Sequence, residues 1–146
     1  MTTIAWDGRT LAADKRCVYG EVVNIVTKIH RAGDCLVGGS GEFAFILAMV
    51  EWVRGGRKDS EFPADQRNKD EWQPVLVIDR EGRMHLYERT CHPIRWERRF
   101  GAIGSGKAYA IAAMHLGLSA EDAVAVACEY DPGSGNGIDV LRMEEV

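Results

Sequence analysis

The start of the chain offers a candidate nucleophile and a candidate base in one residue, Thr2. A small residue at this position allows an aminopeptidase to remove Met1, which exposes the Thr2 amine beside the Thr2 hydroxyl. A hydroxyl with an adjacent base is an activated nucleophile. An α-amine titrates near about pH 8, so it is a suitable base at neutral pH. Many proteins begin with Met-Thr, and the pair alone is therefore a weak signal.

A glycine-rich segment at 101–108 (GAIGSGKA) offers a second chemistry, phosphate binding. Glycine amides at a helix N-terminus can hold a phosphate, and Lys107 would add positive charge. The segment is one residue short of the GxxxxGK[ST] pattern, and Ala108 stands where a hydroxyl would hold Mg²⁺. Too little chain follows for a parallel nucleotide-binding sheet. A nucleotide binder is therefore the weaker alternative, and a tight turn from a strand into a helix is favoured.

A third chemistry would combine a cysteine or serine nucleophile with a histidine. The sequence contains neither the GxSxG pattern of a serine nucleophile nor a CxxC pair typical of a structural zinc site. With four cysteines and four histidines, some Cys–His pair can always be proposed, so the numbers alone are no evidence for a catalytic pair. Ordinary core thiols and surface histidines are the better interpretation. The cysteines are Cys17, Cys35, Cys91 and Cys128.

Length and composition indicate one globular domain, 1–146. The chain is 46% hydrophobic and 27% charged, with a net charge of −4 that argues against a general nucleic-acid binder. No stretch is long and apolar enough to span a bilayer, and the first residues lack the layout of an export signal. We therefore expect the chain to stay where it is made, with reduced thiols.

The spacing of apolar residues predicts strands, a helix, more strands, two helices and a last strand. The predicted strands are 2–6, 10–14, 24–30, 34–38, 73–79, 83–89, 94–100 and 138–143, and the predicted helices are 42–54, 107–116 and 120–130. Asp7-Gly8 is a hairpin signal, Ser119 with Asp122 predicts a helix cap, and 57–72 is predicted to be a surface loop. Hairpins grouped with helices indicate an α+β fold.

Lys28 lies within the alternating segment 24–30, on the same predicted face as Val26 and His30. A lysine among apolar residues is costly unless it is paired. Asp14, at the end of another predicted strand, is an available partner. A buried ion pair beside the start of the chain gives more weight to chemistry at Thr2.

Six segments, in the same order, resemble the proteasome β-subunit superfamily of N-terminal nucleophile hydrolases, and are most similar to the HslV peptidases. Each segment is weak alone, but the six together are specific and span nearly the whole chain. They are TTIAWDG at the start, LAAD ending in Asp14, TKI around Lys28, VGGSGE at 37–42, AIGSGKAYA at 102–110 and DPGSG at 131–135. The resemblance implies a four-layer αββα sandwich.

The resemblance also implies a role for particular residues. Thr2 would be the nucleophile, with Asp14 and Lys28 as the buried pair that tunes it. The Gly38 amide would form the oxyanion hole, and Ser105 would lie near the amine. The other implied catalytic residues are Asp131 and Ser134, and the implied substrate-binding residues are Cys17, Val26, His30, Leu36 and Ser40.

The function implied by the resemblance is that of a threonine-type endopeptidase subunit in a self-compartmentalised ring, with no metal or organic cofactor. The implied partners are further copies in stacked rings, an AAA+ unfoldase similar to HslU, and unfolded protein or peptide substrates, with no nucleic acid or membrane. The implied location is the cytoplasm of a bacterium, where a phage could also encode the chain. The alternative is a catalytically inactive ring or assembly protein.

The sequence departs from the family in its helical layer. The polar segment 57–72 stands where the family has a second long helix, so we expect one helical layer to be reduced. The predicted helix 42–54 is apolar around most of its circumference. We therefore expect part of Phe43, Ile46, Met49 or Val50 to stay exposed and to contact another subunit.

Overall fold

A computed structural model describes residues 1–64, 67 and 72–143. Part of the predicted surface loop, at 65–66 and 68–71, lies outside the described residues. The rest of that loop contains a short 3₁₀ turn, Asp59–Glu61. Within the described ranges, no helix is long and apolar enough to cross a membrane.

Eleven strands and three helices follow one another along the described chain. The strands are β1 (Ile4–Trp6), β2 (Thr10–Asp14), β3 (Arg16–Tyr19), β4 (Val22–Ile25), β5 (Ile29–Ala32), β6 (Cys35–Gly39), β7 (Val75–Ile78), β8 (Met84–Tyr87), β9 (Ile94–Trp96), β10 (Gly101–Ile103) and β11 (Ile138–Arg142). The helices are α1 (Phe43–Arg54), α2 (Lys107–His115) and α3 (Ala120–Tyr130).

The strands form two large antiparallel sheets and one separate hairpin. The four-stranded sheet has the order β10-β1-β2-β11, and the five-stranded sheet has the order β5-β6-β7-β8-β9. Among the described strands, β3 and β4 pair with each other alone. The alternation of side chains along β1 explains the layers, because Ile4 and Trp6 face the other sheet while Ala5 faces the helices.

Three apolar clusters separate four layers. One cluster lies between the two sheets, a second between α1 and the five-stranded sheet, and a third between the four-stranded sheet and the pair α2–α3. The third cluster is rich in alanine, which lets the helices approach the sheet closely. The predicted αββα sandwich is therefore confirmed. In the described part of the chain, α1 is the one α-helix that covers the five-stranded sheet.

Local signals around the first hairpin and the last two helices are confirmed. The chain turns between β1 and β2 at Asp7-Gly8, and the Asp122 N–H donates to the Ser119 Oγ at 3.2 Å. Asp7 has an additional role, since its Oδ2 accepts the Ala120 N–H at 2.8 Å. This contact ties the hairpin to the start of α3.

The prediction of one strand over 24–30 is wrong. β4 ends at Ile25 and β5 begins at Ile29, so Lys28 lies in the break between them rather than on a sheet face with Val26 and His30. Two strands, β3 and β10, are missing from the sequence prediction. The hairpin of β3 and β4 carries apolar side chains that stay exposed, so the alternation of residue types there does not report burial.

The predicted exposed face of α1 is also wrong for three of its four residues. Ile46, Met49 and Val50 are buried against the five-stranded sheet, and only Phe43 is half-buried. The large apolar residue of α1 that is exposed is Leu47, at 53%. The three buried residues therefore offer no apolar surface for contact with another subunit.

Asp79, which directly follows β7, holds the turn into β8. Its Oδ1 accepts the N–H groups of Glu81 and Arg83, both at 2.9 Å, and its Oδ2 lies 2.8 Å from both Arg83 Nε and His85 Nε2. Burial by itself would raise the pKa of Asp79. Hydrogen bonds from His85 and Arg83 outweigh burial and lower that pKa from 3.8 to about 2.

We expect Asp79→Asn to reduce the free energy of unfolding at pH 7 by about 2 kcal/mol, because one pKa unit corresponds to about 1.4 kcal/mol. The folded-state pKa is the lower one, so the contribution is complete above about pH 4 and is lost as the pH falls through about 2. Urea unfolding at pH 7, 4 and 2 measures this, and the difference between variant and wild type should vanish at the lowest pH. Glu81→Gln, at the exposed partner of Arg83, should change stability by less than about 0.5 kcal/mol. An Asp79→Asn protein as stable as wild type at pH 7 would contradict the role of this carboxylate.

Candidate active site

Thr2 lies in the interior, two residues before the first residue of β1, and both of its polar groups are hydrogen-bonded. Its side chain is 1% exposed. The Thr2 hydroxyl donates to the Met1 carbonyl at 2.6 Å and accepts from Lys28 Nζ at 3.0 Å. The Thr2 N–H donates to Ser105 Oγ at 3.0 Å. The two atoms that the sequence analysis singled out, nitrogen and hydroxyl oxygen, are thus held by two different sets of side chains.

Lys28 and Asp14 form a buried ion pair on the hydroxyl side. Lys28 Nζ lies 3.0 Å from Asp14 Oδ1 and 3.1 Å from Oδ2, and the two side chains are 1% and 0% exposed. Burial lowers the pKa of Lys28, and the Asp14 charge opposes this effect. The carboxylate accepts three backbone N–H groups as well, from Thr3, Arg16 and Gly135. Such additional donors are what a buried charge requires.

Ser105 and Asp131 form the second set, on the nitrogen side. Ser105 Oγ donates to Asp131 Oδ2 at 2.7 Å, and Ser134 Oγ donates to the same oxygen at 2.6 Å. Burial by itself would raise the pKa of Asp131, but hydrogen bonds from Ser134, Ser105 and the Gly133 N–H outweigh it and lower that pKa. Asp131 therefore serves as an anionic acceptor behind Ser105.

Thr3 joins the two sets, and sequence reasoning missed it. Its N–H donates to Asp14 Oδ1 at 2.9 Å, and its Oγ1 lies 2.7 Å from Ser134 Oγ. A hydrogen-bonded path therefore runs from Lys28 through Asp14 and Thr3 to Ser134. The signal for Thr3 in the sequence is a polar residue at the start of a buried strand, where an apolar one is expected.

The glycines of the 101–108 segment are explained by contact with the start of the chain. A Cβ at Gly104 would overlap the Thr2 carbonyl, and a Cβ at Gly106 would overlap the Thr3 hydroxyl. The Gly106 N–H donates to the Thr2 carbonyl, and the Lys107 N–H donates to the Gly104 carbonyl. Since these amides already have partners, the segment is poorly suited to hold a phosphate, and it serves instead to deliver Ser105.

A pocket of about 200 Å³ opens beside Thr2. Lys28 lines it together with Cys17, which the sequence analysis expected to bind substrate. Sequence reasoning missed five other residues of its wall that are not at the chain start. They are Arg16, Val18, Gly41, Phe43 and Gly133.

Several residues expected at the pocket are not found in its wall. Leu36 is wholly buried in the cluster between the sheets, so it cannot line a surface pocket in this structure. Gly38 lies within β6 and is packed against Ile4 and Ile29. The described wall of the pocket also lacks the remaining three expected residues, Val26, His30 and Ser40.

Comparison with solved structures identifies the fold. BPH from Thiobacillus denitrificans in complex with epoxomicin matches 97% of this chain and 96% of its own, with 22% identity and a TM-score of 0.67. HslV from Trypanosoma brucei matches 97% of each chain, with 21% identity and a TM-score of 0.69. Neither a scan against family models nor a search of curated proteins finds a match.

The chain has an HslV-like fold. A second structure of BPH from Thiobacillus denitrificans gives the same result, with a TM-score of 0.67 and 21% identity. The match extends over nearly the full length of each chain, so both sheets and the helices on both sides belong to this HslV-like fold. The predicted resemblance is therefore confirmed for the fold.

Gly104→Ala and Gly117→Ala form a matched pair that tests the contact with Thr2. Both glycines have positive φ, +97° and +99°, so each alanine should cost roughly 1–3 kcal/mol for its backbone conformation. A Cβ at Gly117 meets no atom within 4 Å. We therefore expect Gly104→Ala to lose at least about 2 kcal/mol more than Gly117→Ala in urea unfolding, or not to fold at all. Equal losses would show that the Gly104 backbone need not approach Thr2 closely.

Proposed function

We propose that this chain is a threonine-type endopeptidase subunit in which Thr2 is the nucleophile once Met1 is removed. One observation carries the proposal. The Thr2 hydroxyl lies 3.0 Å from the buried ammonium of Lys28, while the Thr2 nitrogen lies 3.0 Å from Ser105 Oγ. A nucleophile, a charged group beside it and an oriented nitrogen are the parts that an N-terminal nucleophile needs.

Removal of Met1 would complete the site. Hydrolysis of the Met1–Thr2 bond turns the Thr2 amide nitrogen into a free amine with a lone pair. It also removes the Met1 carbonyl, to which both the Thr2 hydroxyl and Lys28 donate. The hydroxyl then has its proton available for the amine, and the space left by Met1 joins the pocket. Met1 is the most exposed of these residues, at 74%, so it is accessible to an aminopeptidase.

The proposed reaction has two halves. In the first, Thr2 Oγ1 attacks the peptide carbonyl carbon and its proton passes to the Thr2 amine. The tetrahedral oxyanion collapses, the C–N bond breaks, and the leaving amine takes that proton. In the second, the Thr2 amine removes a proton from water, and the water oxygen attacks the carbonyl carbon of the ester. The bond between that carbon and Oγ1 then breaks, Oγ1 takes the proton from the amine, and the acyl product leaves as a carboxylic acid.

Lys28 and Ser105 would act on different atoms of Thr2. The Lys28 ammonium stabilises negative charge as it develops on Oγ1, and its lowered pKa lets it share a proton with that oxygen. Ser105, anchored by Asp131, orients the amine. The oxyanion donor is proposed to be an amide in the glycine-rich segment that ends β6. Gly38 is the residue that the resemblance implies, and Gly41 is the one that lines the pocket.

We also propose that copies of the chain assemble through the hairpin of β3 and β4. Five apolar side chains of this hairpin are at least half exposed: Val18, Tyr19, Val22, Val23 and Ile25. The register places Val18, Val23 and Ile25 on one face of the hairpin and Tyr19 and Val22 on the other. A two-stranded hairpin is at best marginally stable alone, and exposed apolar surface of this kind marks an interface. A closed ring is one symmetric assembly that covers this surface. Stacked rings, an HslU-like unfoldase, unfolded substrates and a cytoplasmic location stay predictions from the resemblance.

The alternative of a catalytically inactive ring protein is favoured by one feature, the contacts of Met1. With Met1 in place, the Thr2 nitrogen is an amide and cannot act as a base. The side-chain geometry would then support assembly alone. The two possibilities differ in the first residue of the protein and in its activity, and one experiment measures both.

Thr2→Ala should abolish hydrolysis of fluorogenic peptides, with a loss of about 10⁴-fold or more, because the nucleophile is absent. Thr2→Ser keeps a hydroxyl and an amine and should retain measurable activity. Intact mass of the active protein should show that Met1 is missing. Activity of Thr2→Ala within tenfold of wild type, or an active protein with Met1 uniformly retained, would refute this mechanism.

Replacement of apolar residues on the hairpin should break the assembly. We expect Val22→Glu combined with Ile25→Glu to give monomers in light scattering, since two charges would have to be buried in the interface. Leu47→Glu, at an equally exposed apolar residue of α1, is the control and should leave the assembly intact. A wild-type protein that is a stable monomer at micromolar concentration would contradict the ring itself.

A further inference from the structure

Arg16 is a cation in the wall of the Thr2 pocket that the proposed reaction does not use. Its Nε donates to Asn136 Oδ1 and its Nη1 donates to the Pro132 carbonyl, both at 2.7 Å. Both acceptors are neutral. Within the described ranges, no carboxylate lies within ion-pair distance of this guanidinium. No carboxylate in the described part of the chain therefore compensates its charge.

The other charges at the pocket make it selective for anions. Among the described residues of the wall, no side chain is acidic, and the basic side chains are those of Arg16 and Lys28. Lys28 is neutralised from behind by Asp14, whereas Arg16 is not. A concave surface with uncompensated positive charge attracts negative groups, and the half-buried position of Arg16 reduces screening by water.

The guanidinium is also held in a definite orientation. Two of its five N–H groups bond Asn136 and Pro132, and its Nη2 packs against the backbone of Gly135, where a Cβ would lie only 2.7 Å away. The N–H groups that remain can form paired hydrogen bonds with a carboxylate. Little ordering is left to occur when a ligand binds, which favours recognition.

We propose that Arg16 binds a carboxylate of the peptide close to the scissile bond, so that this site prefers substrates with an acidic group there. The inference rests on the proposed peptidase function. The carboxylate can come from an Asp or Glu side chain within the peptide or from a free C-terminus close to the cleaved bond. The chemistry is the same for both, and the two sources are separated experimentally.

The test compares cleavage of matched peptides that differ in one charge. Glu and Gln are exchanged at each of the three positions on either side of the scissile bond, and a second series exchanges a free C-terminal carboxylate for an amide. We expect about tenfold higher kcat/KM for the acidic member at one position, equivalent to about 1.4 kcal/mol, and a smaller ratio at high salt. Arg16→Gln should bring the ratio to about one, and Arg16→Lys should keep part of it.

Arg80→Gln, at an exposed cation in the β7–β8 turn, is the control and should leave both rates and their ratio unchanged. If Arg16 only stabilised the loop at 132–136 through its hydrogen bonds, Arg16→Gln would slow cleavage of both peptides of a pair equally. An unchanged ratio of kcat/KM between the acidic and the neutral peptide would therefore overturn the proposal. Equal rates for acidic and neutral peptides with the wild type would overturn it as well. A preference seen only in the C-terminal series would assign the carboxylate to the chain end.

Binding separates this proposal from the peptidase function. Fluorescence anisotropy of the same labelled peptides is measured with Thr2→Ala, which lacks the proposed nucleophile. If the wild type cleaves no peptide but Thr2→Ala binds the acidic member about tenfold more tightly, the carboxylate site stands and the peptidase function fails. If peptides are cleaved without regard to charge, the function stands and the carboxylate site fails.

Discussion

The buried ammonium of Lys28 has to be neutralised and fully hydrogen-bonded, and much of the structure around Thr2 meets that requirement. Asp14 supplies the charge, and it is itself held by three backbone N–H groups from separate segments of the chain. Removing one partner of such a pair would leave an uncompensated buried charge at a cost of roughly 3–5 kcal/mol. This ion pair therefore couples three parts of the chain to one another: the end of β2, the segment between β4 and β5, and the turn at Gly135.

The same pair links stability to the proposed chemistry. Lys28 contacts the Thr2 hydroxyl, and Thr3 carries the hydrogen-bonded path on to Ser134 and Asp131, which hold Ser105 beside the Thr2 nitrogen. Glycines at 104 and 106 allow the chain start to lie against this path without a clash. The position of Thr2 is thus determined from both sides by buried groups, which is the preorganisation that the proposed catalysis would need.

A second constraint on the molecule is that its apolar surface has to be covered. The sequence of α1 is apolar around most of its circumference, yet the five-stranded sheet and the aromatic contacts of Trp52 bury most of this surface. The hairpin of β3 and β4 has the opposite character, since five of its apolar side chains are exposed. Because that hairpin also contributes Arg16, Cys17 and Val18 to the pocket, an assembly that covers it would shape the proposed substrate site as well.

The sequence by itself determined the α+β class and most of the order of strands and helices. These follow from local signals: the Asp7-Gly8 turn, the Ser119 cap and apolar periodicity. A lysine in an apolar segment also indicated that Lys28 needs an acid, and the resemblance to a known family implied the layered sandwich and the residues expected around Thr2. Tertiary structure alone decided that the predicted strand 24–30 is interrupted between β4 and β5. It also decided that Leu36 faces the space between the two sheets, and that Thr3 and Arg16 lie beside Thr2 and its pocket. Residue type and spacing indicate which groups need a partner, but the choice of partner depends on which distant segments the packed sheets bring within hydrogen-bonding distance.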